Sequence, residues 1–204
     1  MTSILKADTI QDTDGNNIIN ESSNTITIGA SGDTTNIIGT LQNNGSAVGG
    51  LSMADQWRVT SAATFTGEVD ITANLEQVDT TGQGTLGSAM TESSGIFTFP
   101  STGIYLVSGN IAAYRSGDAR YVILYLKGTT NNSSYSTLAS GYSSIKQAES
   151  SATYANPSTS TLVDVTDTSN VKVKFALQAT QECTLSTSSS INRCFFTFLR
   201  LGDT

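Results

Sequence analysis

The chain has 204 residues, 37% of them hydrophobic and 13% charged, with a formal net charge of -7 and no histidine. The negative balance and the lack of any basic cluster exclude a sequence-independent nucleic-acid binder, which needs Lys and Arg to displace phosphate counterions. The missing histidine excludes Ser-His-Asp and Cys-His catalysis, and nothing approaches the ~18 consecutive apolar residues of a membrane span.

Thr, Val, Ile and the aromatics favour strands, and Gly, Asn and Ser favour turns, so the chain reads as all-β. No enzymatic activity, cofactor or metal is expected. Residues 1–50 are polar, with sparse apolar positions: Ile18 and Ile19, Ile26 and Ile28, Ile37 and Ile38, and Leu41. Turn-forming runs such as "DGNN", "GASGD" and "QNNG" separate them, a weak repeat of very short strands. This stretch contains no Phe, Tyr or Trp. Alone, it cannot bury enough apolar area to offset chain entropy. Two readings stay open: a trimeric stalk or anchor in which Ile26, Ile28, Ile37 and Leu41 face their copies, or a flexible tail that orders on its partner. The run Asp12 to Asn17 has the acid spacing of a calcium loop, but Asn17 and Ser23 stand where Gly and Glu are required, so it reads as a turn. The opening "MTSILKADTIQD" lacks the apolar core of a signal peptide, which points to synthesis in a cytoplasm.

A Gly-rich joint, "GSAVGGLSM", leads into residues 51–204, where strand patterns run to the end. "LSMADQWR" could make a single helical turn at the start. Strands are predicted over 56–62, 74–80, 95–100, 103–114, 120–128, 134–142, 158–167, 171–179 and 192–202. The alternation in "VKVKFAL" and "FFTFLRL" marks strands with one buried face. Regular turn signals suggest an antiparallel sandwich. If both ends of this region lie at one base, the loops 114–120, 143–157 and 184–192 share the far end. "PSTG" and "KGTTNNS" then lie at the base.

"GQGTLG", from Gly82, matches the dinucleotide pattern, but no helix follows to hold a pyrophosphate, so it reads as a loop. Glu68, Asp70, Glu76 and Asp79 read as solvated surface carboxylates. Cys183 and Cys194 would face each other if the last two strands form a hairpin. They read as reduced thiols, with a disulfide as the alternative.

"GIFTFPSTGIYLVSGNI", "RYVILYLKGT", "NVKVKFAL" and "FFTFLRLGD" together resemble the C1q and tumour-necrosis-factor superfamily over 51–204. The resemblance implies a ten-stranded jelly-roll knob that trimerises through aromatic-rich strand faces. There is no Gly-X-Y repeat, so the collagen stalk of animal C1q proteins is absent, and no calcium ligands match. Phe97, Phe99, Tyr105, Val107 and the phenylalanines of 195–198 supply more aromatic surface than one thin sandwich obviously needs. They are expected at the trimer axis, or otherwise in a monomer's own core.

"ILKADTIQDTDGNNIINESSNTITIGASGDT" resembles the leaders of fibre-like structural proteins of marine tailed phages. That resemblance implies a virion protein: a homotrimer anchored to other virion proteins by its first fifty residues. The knob would contact a host surface glycan or protein through its apex loops. Arg115, Asp118, Arg120, Lys146, Tyr154 and Asn156 are the candidate contacts. The alternative is a capsid decoration or head-fibre protein that binds no receptor.

Overall fold

The computed structural model describes residues 50–204 and, before them, 9–11, 13, 17–22, 25–29, 32–38, 41–43 and 46–47. The chain forms two compact units, Met1–Gly49 and Gly50–Thr204. In the leading unit, β1 (Thr9–Gln11), β2 (Asn17–Ser22) and β3 (Thr25–Ile28) make an antiparallel sheet in that order. β4 (Gln42–Asn43) and β5 (Ser46–Ala47) form a separate short pair. The register explains the sequence repeat: Ile10 pairs with Ile19, and Ile19 with Ile28. Isoleucines nine positions apart thus become one cross-strand row. All three stay solvent-exposed, as do Ile26, Ile37, Ile38 and Leu41. The Ile18 side chain, and residues 12 and 14–16 of the acid-rich run, lie outside the described residues.

The second unit contains β6 (Met53–Val59), β7 (Thr64–Asp70), β8 (Leu75–Gln77), β9 (Thr91–Ser93), β10 (Ile96–Thr98), β11 (Gly103–Asn110) and β12 (Ala113–Arg115). β13 (Ala119–Thr129), β14 (Ser136–Ile145), β15 (Thr153–Ala155), β16 (Ser158–Val165), β17 (Lys172–Leu185) and β18 (Phe195–Gly202) complete it. A five-stranded sheet has the order β16-β11-β18-β6-β8. An eight-stranded sheet follows β14-β13-β17-β10-β9, with β7 and β12 also on β17 and β15 on β12. Every pairing is antiparallel.

Several expectations change. The segment at 53–59 is strand β6 and makes no helical turn. The predicted strand 103–114 is two strands in opposite sheets, β11 and β12, because the chain crosses the sandwich at 111–112. A second crossing, at 156–157, separates β15 from β16, and Ile111 N donates to Pro157 O across the two. β7, β9, β12 and β15 carry too few apolar residues to announce themselves as separate strands. Residues 82–87 form a loop, as the Gly-rich reading expects.

The two halves of "GIFTFPSTGIYLVSG" are no hairpin. β10 lies in the eight-stranded sheet and β11 in the five-stranded one, so the turn at 100–102 carries the chain from one wall to the other. Phe97, Phe99, Tyr105, Val107, Phe196 and Phe198 are each at most 2% exposed in the single chain. These side chains therefore fill the subunit's own core, the second of the two readings, whereas Phe195 is only half-buried. Phe175 stacks on Phe196 across the sheets at 3.9 Å, and Phe97 contacts Trp57, Phe175, Phe196 and Phe198. Gly109 permits this packing, since a Cβ there would stand 2.8 Å from Phe175 Cε1.

Two buried charges tie the edge of the five-stranded sheet to the long connection after β8. Asp55, 1% exposed, accepts hydrogen bonds at Oδ1 from Gln56 N, Gln77 Nε2 and Thr85 Oγ1. Its Oδ2 accepts from Trp57 Nε1 and Met90 N. Arg58 donates to Glu76, Asp79 and Thr80.

Candidate functional site

The sheet crossings gather three loops at one end of the sandwich. Arg115 pairs with Thr153, Tyr114 pairs with Thr184, and Asp118 meets Lys146. These contacts join the 114–120, 143–157 and 184–192 segments. At the other end, Asn132 N donates to Asn170 O, and Arg200 Nε donates to Thr102 O.

The six predicted contact residues fall into four groups. Tyr154 stacks on Tyr114 across the β12–β15 ribbon, with ring centroids 5.3 Å apart, and stays mostly exposed. Asp118 accepts from Lys146 Nζ at 2.6 Å and from Gln147 N at 2.8 Å. These two bonds, the lysine's first, hold its carboxyl below the usual carboxylate range. Both side chains border an open polar cleft of about 530 Å³ together with Gln147, Ala148, Glu149 and Ser150. Arg115 makes no hydrogen bond to this pair, although its charge also acts to lower the Asp118 carboxyl, and its guanidinium is partly buried. The side chains of Arg120 and Asn156 are exposed and make no bond with the other four.

The remaining sequence candidates settle structurally. Glu68 and Asp70 pair with Lys127 and Lys174 on the solvent face of the eight-stranded sheet, and Glu76 and Asp79 pair with Arg58. Among the described residues no group of acids and cysteines could hold a metal ion. Cys183 and Cys194 are buried free thiols. The hairpin that would have joined them does not exist, because β17 and β18 lie in opposite sheets. Burial pushes the Cys194 thiol up to about 11, although the Ala112 amide donates to its sulfur.

A second surface escaped sequence reading. On the solvent face of the five-stranded sheet, Leu162 pairs with Leu106, Leu106 with Leu199, Leu199 with Ala54, and Ala54 bridges to Leu86. This apolar row crosses the sheet, and Leu162 and Leu86 are 60% and 49% exposed. Toward the apex the face turns to hydroxyls, with Ser108 paired to Ser160 and Thr197. Four strands and the connection after β8 contribute one residue each to the row, so no sequence window shows it.

No protein-family model matches the chain, and no curated protein sequence does. Solved structures do match. The fold is a jelly roll of the tumour-necrosis-factor type. Murine APRIL at pH 5.0 aligns with a TM-score of 0.54 at 13% identity, covering 73% of this chain and 98% of its own. Eiger TNF from S. frugiperda aligns with a TM-score of 0.56 at 15% identity, covering 76% and 95%. At such identities the likeness establishes the fold alone.

Proposed function

We propose that this protein is a non-enzymatic virion structural protein of a tailed phage. It assembles as a homotrimer whose leading unit anchors to other virion proteins. Its jelly-roll head attaches to a glycan or protein on the host surface. The observation that carries the assembly is the apolar row from Leu162 to Leu86, left in water by a chain whose aromatic core is otherwise closed. A contiguous apolar strip on a sheet face favours association, at about 25 cal/mol per Å² of apolar area buried. Cyclic symmetry brings the same strip of each copy to one axis. The exposed isoleucine row of the leading unit calls for the same kind of cover, from its copies or from the particle.

The leader's likeness to marine-phage fibre proteins supports the virion setting. Three heads per trimer and many trimers per particle then multiply weak apex contacts by roughly a hundredfold or more. Native mass spectrometry of the purified chain tests the assembly: three chains are expected, and a clean monomer refutes it. Deleting the protein from the particle tests the role. Lost adsorption with intact particles supports attachment, whereas fragile particles that still adsorb replace it with capsid decoration.

A further inference from the structure

The guanidinium of Arg115, at the end of β12, has an unmet requirement. Its Nε and Nη1 are buried and donate to nothing among the described residues. An arginine cannot shed its charge to escape this cost, and a buried donor without an acceptor is costlier when charged. Gly117, at φ +109, lies against the same group: a Cβ there would stand 3.3 Å from Nη2 and 3.6 Å from Nε. The positive φ favours glycine, and a glycine brings no side-chain acceptor to the guanidinium. The neighbouring carboxylate, Asp118, is already taken by Lys146 Nζ and Gln147 N. Asp118 is therefore not available to Arg115, whose Nε and Nη1 are left without an acceptor.

Building on the reading of the apex as the contact surface, we infer that Arg115 is the receiving group for an oxyanion carried by an acidic saccharide. A carboxylate or sulfate enters as the 116–118 turn lifts from the guanidinium. It takes the fork of N–H donors that the chain leaves unpaired. The planar fork matches a two-oxygen acceptor, which a lysine cannot do. The net charge of -7 repels anions at long range. Only a ligand making this short-range contact is retained, which favours selectivity over speed.

The test is a titration of the full-length protein, at matched ionic strength, with glucuronate, glucose 6-sulfate and glucose. The Arg115 Nε–H resonance is the readout, assigned by its loss in R115K. The expected result is a saturating shift with one or both acids and none with glucose. The tighter acid shows whether a carboxylate or a sulfate is the natural group. R115K should weaken binding about tenfold or more, because the fork is gone. Asp118 is exposed, so D118N will fold; it should tighten binding severalfold by removing the competing acid. An Nε–H signal unmoved by either acid at about 50 mM, where a site of millimolar Kd is filled, overturns the inference. So does an unchanged affinity in D118N. Neither outcome bears on whether the particle adsorbs, so the attachment reading stands or falls separately.

Discussion

Replacing Asp55 by asparagine tests how the edge of the five-stranded sheet is held. Asp55 is 1% exposed, and its two oxygens receive five donors. An asparagine amide keeps one accepting oxygen and turns an NH2 toward the donors at the other position. With the NH2 at the Oδ2 position, Met90 N and Trp57 Nε1 are stranded; at the Oδ1 position, Gln56 N is stranded. Gln77 and Thr85 can turn to water, so they count for little. The amide takes the orientation that strands only Gln56 N, so at roughly 1–3 kcal/mol per stranded buried donor D55N should lose about 1–3 kcal/mol of stability. For a unit of this size that lowers Tm by about 2–12 °C. Urea unfolding of the full chain, followed by the fluorescence of its single tryptophan, measures the loss directly. The same tryptophan donates to Asp55, so its indole N–H resonance should also move. A stability change under about 0.5 kcal/mol would refute the claim that the neutral donors of the long connection depend on this buried carboxylate.

Other outcomes follow from the same packing. Gly109→Ala should cost about 1–3 kcal/mol in urea unfolding, because the new methyl meets the Phe175 and Phe196 rings across the sheets. Leu162→Glu, at an exposed position, should leave the fold intact by circular dichroism yet yield monomers in analytical ultracentrifugation. Cys194 should resist alkylation at pH 8 until the protein unfolds, since its thiol titrates only near 11. The unfolded thiol ionises near its ordinary value of 9 and the folded one near 11, so this residue's contribution is complete below about pH 9. It then falls as pH rises across that window. Urea midpoints at pH 8 and 10.5, compared between the wild type and C194A, read it out. The Asp118–Lys146 contact should persist below the usual carboxylate pKa and loosen only in stronger acid, visible in the Lys146 side-chain resonance.

Local patterning carried the class, the polar leader and most of the long strands, because alternation and turn chemistry act over a few residues. Alternating Val, Phe and Leu in β17 and β18 announced a sheet with one dry face, and that face is dry. The grouping of the three apex loops was also legible, since antiparallel order alone sends alternate loops to alternate ends. Tertiary structure decided what pairs with what. The hairpin expected around Cys183 and Cys194 failed because the chain between them changes sheets, and no local signal records such a crossing. Of the two places open to the aromatic residues, a trimer axis or the subunit's own core, the fold takes the core, because two sheets each supply half of one stacked cluster. The leucine row and the Asp55 hub are cross-strand and cross-loop facts. Each joins residues tens of positions apart, so each exists only once the backbone hydrogen bonds have fixed the register.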